Sequence, residues 1–528
     1  MSDSDAPCHP IIYVNGFAID RAAIDQTTSD PFCDFNSGSV VYRAVPDKDK
    51  QARKFVFESP VVRLGSDFGY SDVFSDGLDI MDPGWEGDPD LNGGIPRQSI
   101  IIYRYYEQAS KLLGTGKTPP IEDFAKGLSR LILRVQELVC KNPKNNVTPE
   151  NFRCYLVAFS MGGLVCRAFL QNPALGDPAA RKSVDKVFTY ATPHNGIDLG
   201  GINVPSWLSL NDISNFSRER MAKYLNLEAI YKKTKRVDWL PEDVFPSEKF
   251  FCMIGTNRSD FELALGASRA FAGHGSDGLV RIENASVWGV DANGQFSAPC
   301  ATAYTYRSHL GYFGIVNSEE AYQNLTRFLF GDVRADLWVD IKKVRLPKAI
   351  KGGKVNALYQ FEALASPRGK RWYLTRRVTE EDSVACRTHD ELVNPEKAAK
   401  RSVYLSTIFL LKRARVNLKR PSLSYSMTLG IRVPDYEVEG KFWLEGHYEG
   451  GYLFRDSVII EMVPPLQDGE DWQVKFDWQG DSSPAVSAPL TLKKLKDGKM
   501  QLTIPFDSPA DPGISGQLRF VLSEWNDK

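Results

Sequence analysis

The sequence predicts a parallel α/β domain over residues 1–332 and a β-rich accessory domain over residues 333–528. Up to about residue 330, short apolar β-prone runs alternate with amphipathic helical stretches, the pattern of a parallel sheet covered by helices. Beyond residue 333 the segments become short and uniformly β-prone, separated by turn residues, which suggests a β-sandwich. A chain of 528 residues is also too long for one ordinary domain.

Pro10 to Val14 reads as the first strand and ends at Asn15-Gly16, a turn signal. Residues 20–98 show little helical period and are dense in Asp, Gly and Pro, so they read as an insertion. Ser99 to Tyr103 is a continuous apolar strand. Residues 120–140 follow with Phe124, Leu128, Leu131, Ile132, Val135 and Leu138 at helical spacing. Phe152 to Phe159 is a further strand, and Gly162 to Leu170 the helix after it. Val184–Tyr190 and Phe250–Gly255 complete the core strands, and Val316–Phe330 reads as a closing helix. Between those last two strands, residues 203–249 hold Trp207, Leu208, Leu210, Trp239 and Leu240 among other apolar residues. They read as a second insertion that covers the site, either as a mobile lid or as a fixed cap with a permanent acyl channel. In the second half, the segments near 337–341, 356–361, 403–411, 422–433, 452–462, 472–478, 500–504 and 517–522 read as strands.

Composition narrows the function classes. Hydrophobic residues make up 42% and charged residues 25%, the balance of a globular protein with full cores. A net charge of -1 gives no field for nucleic acid, which is not expected as a partner. No apolar run is long enough to predict a membrane-crossing helix. The acidic, polar start Met1-Ser2-Asp3-Ser4-Asp5 lacks the basic and apolar regions of a secretory signal, so synthesis in the cytoplasm is expected. Eight cysteines stand singly at 8, 33, 140, 154, 166, 252, 300 and 386, with no metal-like spacing, which points to a reducing compartment.

The chemistry concentrates around Ser160. Val157-Ala158-Phe159-Ser160-Met161-Gly162-Gly163 closes a strand and opens a helix, the setting of a nucleophilic serine on a tight turn. Ala158 stands where such turns usually carry a first glycine; one methyl is the smallest departure. A hydroxyl nucleophile needs a base and the base an orienting carboxylate, in chain order Ser, Asp, His. His309, in a loop just before the closing helix, is the expected base. Asp277, in the Gly-flanked loop after Phe250–Gly255, is the expected acid, with Asp260 its rival. Two backbone N–H groups should hold the developing oxyanion, one from Met161 and one from Phe17. His194 and Trp207 are expected to contact substrate. No metal or cofactor is expected.

These motifs together resemble the bacterial lipases and the related GPI-inositol-deacylase-like members of the α/β-hydrolase superfamily. The resemblance rests on Phe159 to Arg167, Thr189 to Gly196, Ser276 to Val280 and Ser308 to Gly311, and it covers residues 10–330. It implies a cofactor-free serine lipase or esterase, with phospholipase activity included, acting on carboxylic esters of lipids. The same chemistry would serve an esterase or thioesterase on soluble substrates. The resemblance and the signal-less start also admit export by a specialised machine, with an immunity protein as partner. One departure is Asn15-Gly16, where these lipases usually show His-Gly.

Two weaker signals remain. Asp88 to Gly93 resembles the first half of a calcium loop, but its twelfth position is Ser99 instead of Glu, so a solvated acidic loop is expected. Lys342 to Arg377 holds eleven basic residues and one acid, Glu362. Such a run fits either a solvated strand face or peripheral contact with anionic lipid.

Overall fold

The computed structural model describes residues 8–16, 32, 35, 39–43, 53–105, 119–199, 202–203, 213–258, 275–309, 314–350, 352–415, 422–439, 447–463, 472–480 and 492–526. The chain divides into two compact units. One holds Pro7–Thr302 with Arg307–Leu325, the other Ala303–Tyr306 with Thr326–Lys528.

The first unit holds all but the end of one strand of a seven-stranded sheet. Its strands are β1 (Ile11–Val14), β2 (Ser71–Asp72), β3 (Ser99–Tyr103), β4 (Cys154–Phe159), β5 (Val184–Tyr190), β6 (Phe250–Gly255) and β7 (Ala301–Thr305), in the spatial order β7-β6-β5-β4-β1-β3-β2. β1 lies parallel between β3 and β4, and β5 lies parallel between β4 and β6. β4 is buried along its whole length, which is why it reads as an unbroken apolar run, Cys154-Tyr155-Leu156-Val157-Ala158-Phe159. Its neighbours place Val14 beside Ala158 and Tyr190 beside Phe159, so β1 and β5 both end next to Ser160.

The helices cover this sheet. α1 (Pro60–Phe68) starts at Ser59, whose hydroxyl accepts the Val62 N–H at 3.1 Å, and buries Pro60, Leu64 and Phe68. It lies inside the stretch expected to carry little helical period. Nine residues give only two apolar repeats, too few to stand out against the flanking Asp and Gly. α2 (Ile121–Lys141) buries the apolar stripe seen in the sequence, from Phe124 to Leu138. α3 (Met161–Gln171) follows β4 directly and is buried on every side, and α4 (Glu319–Phe330) follows the His309 loop.

The part of the 203–249 insertion that is described belongs to the body. Met221, Leu225, Leu227, Val237 and Leu240 are fully buried or nearly so. Trp239–Pro241 forms a strand beside Trp288–Val290, which pairs in turn with Phe296–Pro299. Of the residues expected in a lid, Trp239 and Leu240 are here strand residues, because an apolar cluster between core strands packs equally well as an inserted sheet. Trp207, Leu208 and Leu210 lie outside the described residues.

The second unit is two antiparallel sheets. In one, β8 (Val333–Arg345) lies between β10 (Ser402–Leu410) and β15 (Gly513–Glu524), and β14 (Met500–Ser508) follows beyond β15. In the other, β9 (Lys354–Pro367), β11 (Leu423–Glu439), β12 (His447–Val463) and β13 (Gln473–Trp478) run side by side. Leu337, Val339, Leu405, Leu518 and Ile504 from the first sheet join Phe361, Leu429, Ile431 and Val458 from the second in one core. Among the described residues no helix is long and apolar enough to cross a membrane.

Candidate active site

Ser160 sits between β4 and α3 with φ 49° and ψ −122°, a backbone conformation that costs a non-glycine residue energy. The surroundings hold it there. The Ser160 N–H donates to the Tyr190 carbonyl at 2.9 Å, and the Ser160 carbonyl accepts the Thr192 hydroxyl at 2.9 Å. Gly162 lies against the Val14 and Asn15 carbonyls, where a methyl group would collide with both. The sharp turn therefore needs glycine two residues after the serine, while Ala158, buried inside β4, fits where the sequence departs from the usual glycine.

His309 Nε2 lies 3.0 Å from Ser160 Oγ, and His309 Nδ1 lies 2.9 Å from Asp277 Oδ2. With the Nδ1–H donated to Asp277, Nε2 is free to accept the serine proton. The other carboxylate oxygen of Asp277 accepts the N–H groups of Leu279 and Val280 at 3.0 and 2.8 Å. The Asp277 carbonyl also accepts the His309 N–H at 2.9 Å, so the acid and base loops are tied through backbone as well as side chain. Ser160, Asp277 and His309 are all buried, with 4%, 1% and 2% of their surface exposed. The Phe159 ring packs on the imidazole at 5.1 Å between centroids.

Met161 is the first residue of α3, so its N–H has no carbonyl one turn back to receive it. The positive end of the α3 dipole lies beside Ser160 for the same reason. Phe17, the other expected donor, and Asp260, the rival acid, lie outside the described residues, as does Trp207.

His194, expected to contact substrate, is placed among core residues. It is fully buried; its Nε2 lies 3.1 Å from Thr189 Oγ1 and its ring meets Phe250 edge-on. Burial, with the Arg167 guanidinium nearby, holds its pKa well below the usual imidazole value, so it is a neutral core residue.

Sequence reasoning did not single out what holds the loops around the triad. Arg167 on α3 is fully buried. It donates to the carbonyls of His194, Val237 and Trp239 and to Gln171 Oε1, at 2.8 to 3.0 Å. Burial lowers its pKa to about 10. Asn195 and Asn284 are buried and bonded to each other at 3.0 Å, and Asn284 Nδ2 donates to Asp198 at 2.8 Å. Arg218 completes the group with 3.0 Å bonds to both Asp198 oxygens. These residues join the loop after β5 to the loop that carries Asp277. Nothing local in the sequence marks them, because every partner is distant in the chain except Gln171.

The weaker signals resolve into ordinary structure. Asp88 Oδ1 accepts the Asp90 N–H at 2.8 Å as the cap of a short turn. Among the described residues no three His, Cys, Asp or Glu side chains gather as a metal would need. Within the basic run Arg345 pairs with Asp507 and Arg376 with Glu381, while Arg377 is buried on the Ser383, Tyr404 and Leu405 carbonyls. The run is therefore not a single free basic face.

No protein-family model matches the sequence, and no curated relative matches it. Among solved structures, the mature form of the Bacillus licheniformis lipase BlEst2 is similar at 13% identity and a TM-score of 0.29, covering 62% of this chain and 94% of the lipase. Its propeptide form gives 11% identity and a TM-score of 0.29, with 89% and 96% covered. A Lactobacillus plantarum WCFS1 protein described as a cell surface hydrolase gives 11% identity and a TM-score of 0.21, with 61% and 89% covered. Superpositions this loose carry no weight for the chemistry of this chain, which rests on the hydrogen bonds above.

Proposed function

We propose that this chain is a serine esterase that hydrolyses carboxylic esters of lipids through an acyl-enzyme. The observation that carries the reading is the unbroken line of hydrogen bonds from Ser160 Oγ through the His309 ring to Asp277, at 3.0 and 2.9 Å. In the first step Ser160 Oγ attacks the acyl carbon and its proton passes to His309 Nε2. The Met161 N–H, at the positive end of α3, holds the oxyanion. Collapse breaks the ester C–O bond, and the departing alkoxide takes the proton from His309. Water then attacks the acyl-enzyme, giving its proton to His309, and the carboxylic acid leaves as Ser160 recovers its own. Asp277 keeps the imidazole turned toward Ser160 throughout.

A lipid substrate is supported by the apolar composition of the segment that follows the loop after β5, and not by the covering of Ser160. Ser160 is almost wholly covered, so a water-soluble ester and a lipid both need an opening to reach it. The apolar residues Trp207, Leu208 and Leu210 lie in a segment that follows the loop after β5.

Two measurements test the reading. A serine-directed phosphonate should label the full chain once, on Ser160. Ser160→Ala should keep its fold and lose turnover by about three orders of magnitude or more, since the three groups act as a unit. Near-normal ester hydrolysis by the folded variant would end the proposal. A rise in rate when a short-chain ester passes from solution to an aggregated interface separates lipid from soluble substrates.

A further inference from the structure

A cavity of about 340 Å³ opens where β3 ends, between that strand, α2 and the turn at residues 79–82. Its size is that of a small-molecule site, and it lies at the carboxyl edge of the sheet, where such sites gather in open α/β folds.

Its lining has two poles. At one, Asp79 and Asp82 stand together. Asp79 is 8% exposed; its Oδ1 accepts the Met81 N–H at 2.7 Å, and its own N–H donates to Asp82 Oδ2 at 2.9 Å. Arg104 comes within 3.8 and 3.9 Å of the two carboxylates, so one guanidinium faces both of them. Burial, with the Asp82 charge beside it, pushes the Asp79 carboxyl above its usual range. At the other pole α2 presents Asp123, Lys126 and Arg130. Lys126 and Asp123 pair at 3.8 Å, while Arg130 is exposed and makes no ion pair among the described residues. Among the described residues, the acidic pole sets two carboxylates against one guanidinium, and Arg130 at the basic pole has no anionic partner. A plain anion or a plain cation would satisfy only one of the two poles.

Tyr105 links the cavity to the backbone beside Ser160. It lines the cavity and donates its hydroxyl to the Asn15 and Gly16 carbonyls, at 2.6 and 3.0 Å. Gly16 packs on the nucleophile so closely that a methyl group there would come within 3.1 Å of Ser160 Cβ. One side chain therefore separates the cavity from the backbone that covers Ser160.

We propose that this cavity holds the polar head of the ester substrate, a zwitterion in which a short carbon chain joins an ammonium to a phosphate. The ammonium lies at Asp79 and Asp82, the phosphate at Arg130. The proposal rests on Ser160 as the nucleophile for its link to substrate, but binding is measurable without turnover. The full-length Ser160→Ala protein is titrated calorimetrically with phosphoethanolamine, ethanolamine and inorganic phosphate. Phosphoethanolamine should bind about tenfold more tightly than either half. Arg130→Glu, an exposed change that leaves the core untouched, should remove that advantage, and so should Asp82→Asn. Equal binding of phosphate alone, no saturable binding, or an unaffected Arg130→Glu variant would overturn the site. Wild-type protein then hydrolyses mixed lipid esters with phosphoethanolamine or phosphoglycerol heads. A preference of about tenfold in kcat/KM for the ammonium head supports its role in the substrate; no preference overturns that role. Retained hydrolysis by Ser160→Ala would sink the esterase reading while leaving the titration to stand or fall by itself.

Discussion

The Asp277 carboxylate accepts three hydrogen bonds, two from the backbone of its own loop and one from the His309 ring. Asparagine in its place would keep the size but offers an amide where a full charge now orients the imidazole. Asp277→Asn should therefore fold normally and lose about 10³- to 10⁴-fold in kcat, the cost of the wrong imidazole tautomer; steady-state kinetics on a soluble ester would show it. The meeting of Ser160, Asp277 and His309 side chains was legible because each stands in a short local pattern and the three follow in chain order. The burial of His194 was not legible: its motif is visible, but the Thr189, Phe250 and Arg167 contacts that bury it are tertiary. Lys186 left no signal, since Val184-Asp185-Lys186-Val187 reads as an ordinary strand start. The structure buries it, and burial first of all lowers its pKa from 10.5 to about 7 despite Asp185 at 3.8 Å. Between those two values the unfolded chain carries a proton that the folded chain has lost, so stability rises with pH across the window. Below about pH 7 the cost is present in full. Lys186→Met should then be more stable than the parent near pH 6, by about 1–4 kcal/mol at most. The gap should narrow toward pH 10, as read from urea melts at several pH values, and a gap independent of pH would refute the assignment.

Elements were readable where their period was long or unbroken. Ser99–Tyr103, Val184–Tyr190 and Phe250–Gly255 are strands with the bounds that their apolar runs suggest, and α2 extends over Ile121–Lys141. β2 is two exposed residues, Ser71 and Asp72, with nothing apolar to mark them. Trp239–Pro241 has the composition of a cover and the position of a strand, and only its pairing with Trp288–Val290 decides between them. The loops between elements were the least legible, because buried polar groups fix them. The loop from Gly275 to Ala285 closes on itself through the Ile282 N–H to the Gly275 carbonyl at 2.9 Å, and Asn284 anchors its far end to Asn195 and Asp198. Removing the Asn284 side chain leaves Asn195 and Asp198 each short of a buried partner. Asn284→Ala should cost about 2–3 kcal/mol in stability by urea unfolding, the scale of buried groups left unsatisfied. It should also lower kcat more than it raises KM, because the loop it frees is the one that aims Asp277. A stability loss with unchanged kcat would make the network purely structural.

At the scale of the molecule, each of the two units buries an apolar interior. The first buries the strands β1, β4, β5 and β6 under their helices, and the second buries the facing residues of its two sheets, from Leu337 and Val339 to Ile504 and Leu518. The change of texture near residue 333 was legible because a strand-and-helix alternation gives way to a run of strands. The pairing order within the second unit was not, because β8 bonds to β10 and β15, partners far away in sequence. Each interior is large enough to melt cooperatively by itself. Scanning calorimetry of the full chain should resolve two transitions, and a ligand that binds only folded protein raises only the transition of the unit that holds it. A phosphonate bound covalently to Ser160 is such a ligand, confined to the first unit. It should raise one transition by several degrees and leave the other where it was. The Ser160→Ala protein, treated with the same reagent, should show neither change. If both transitions move together in the labelled parent, the two interiors melt as one body and their independence is refuted.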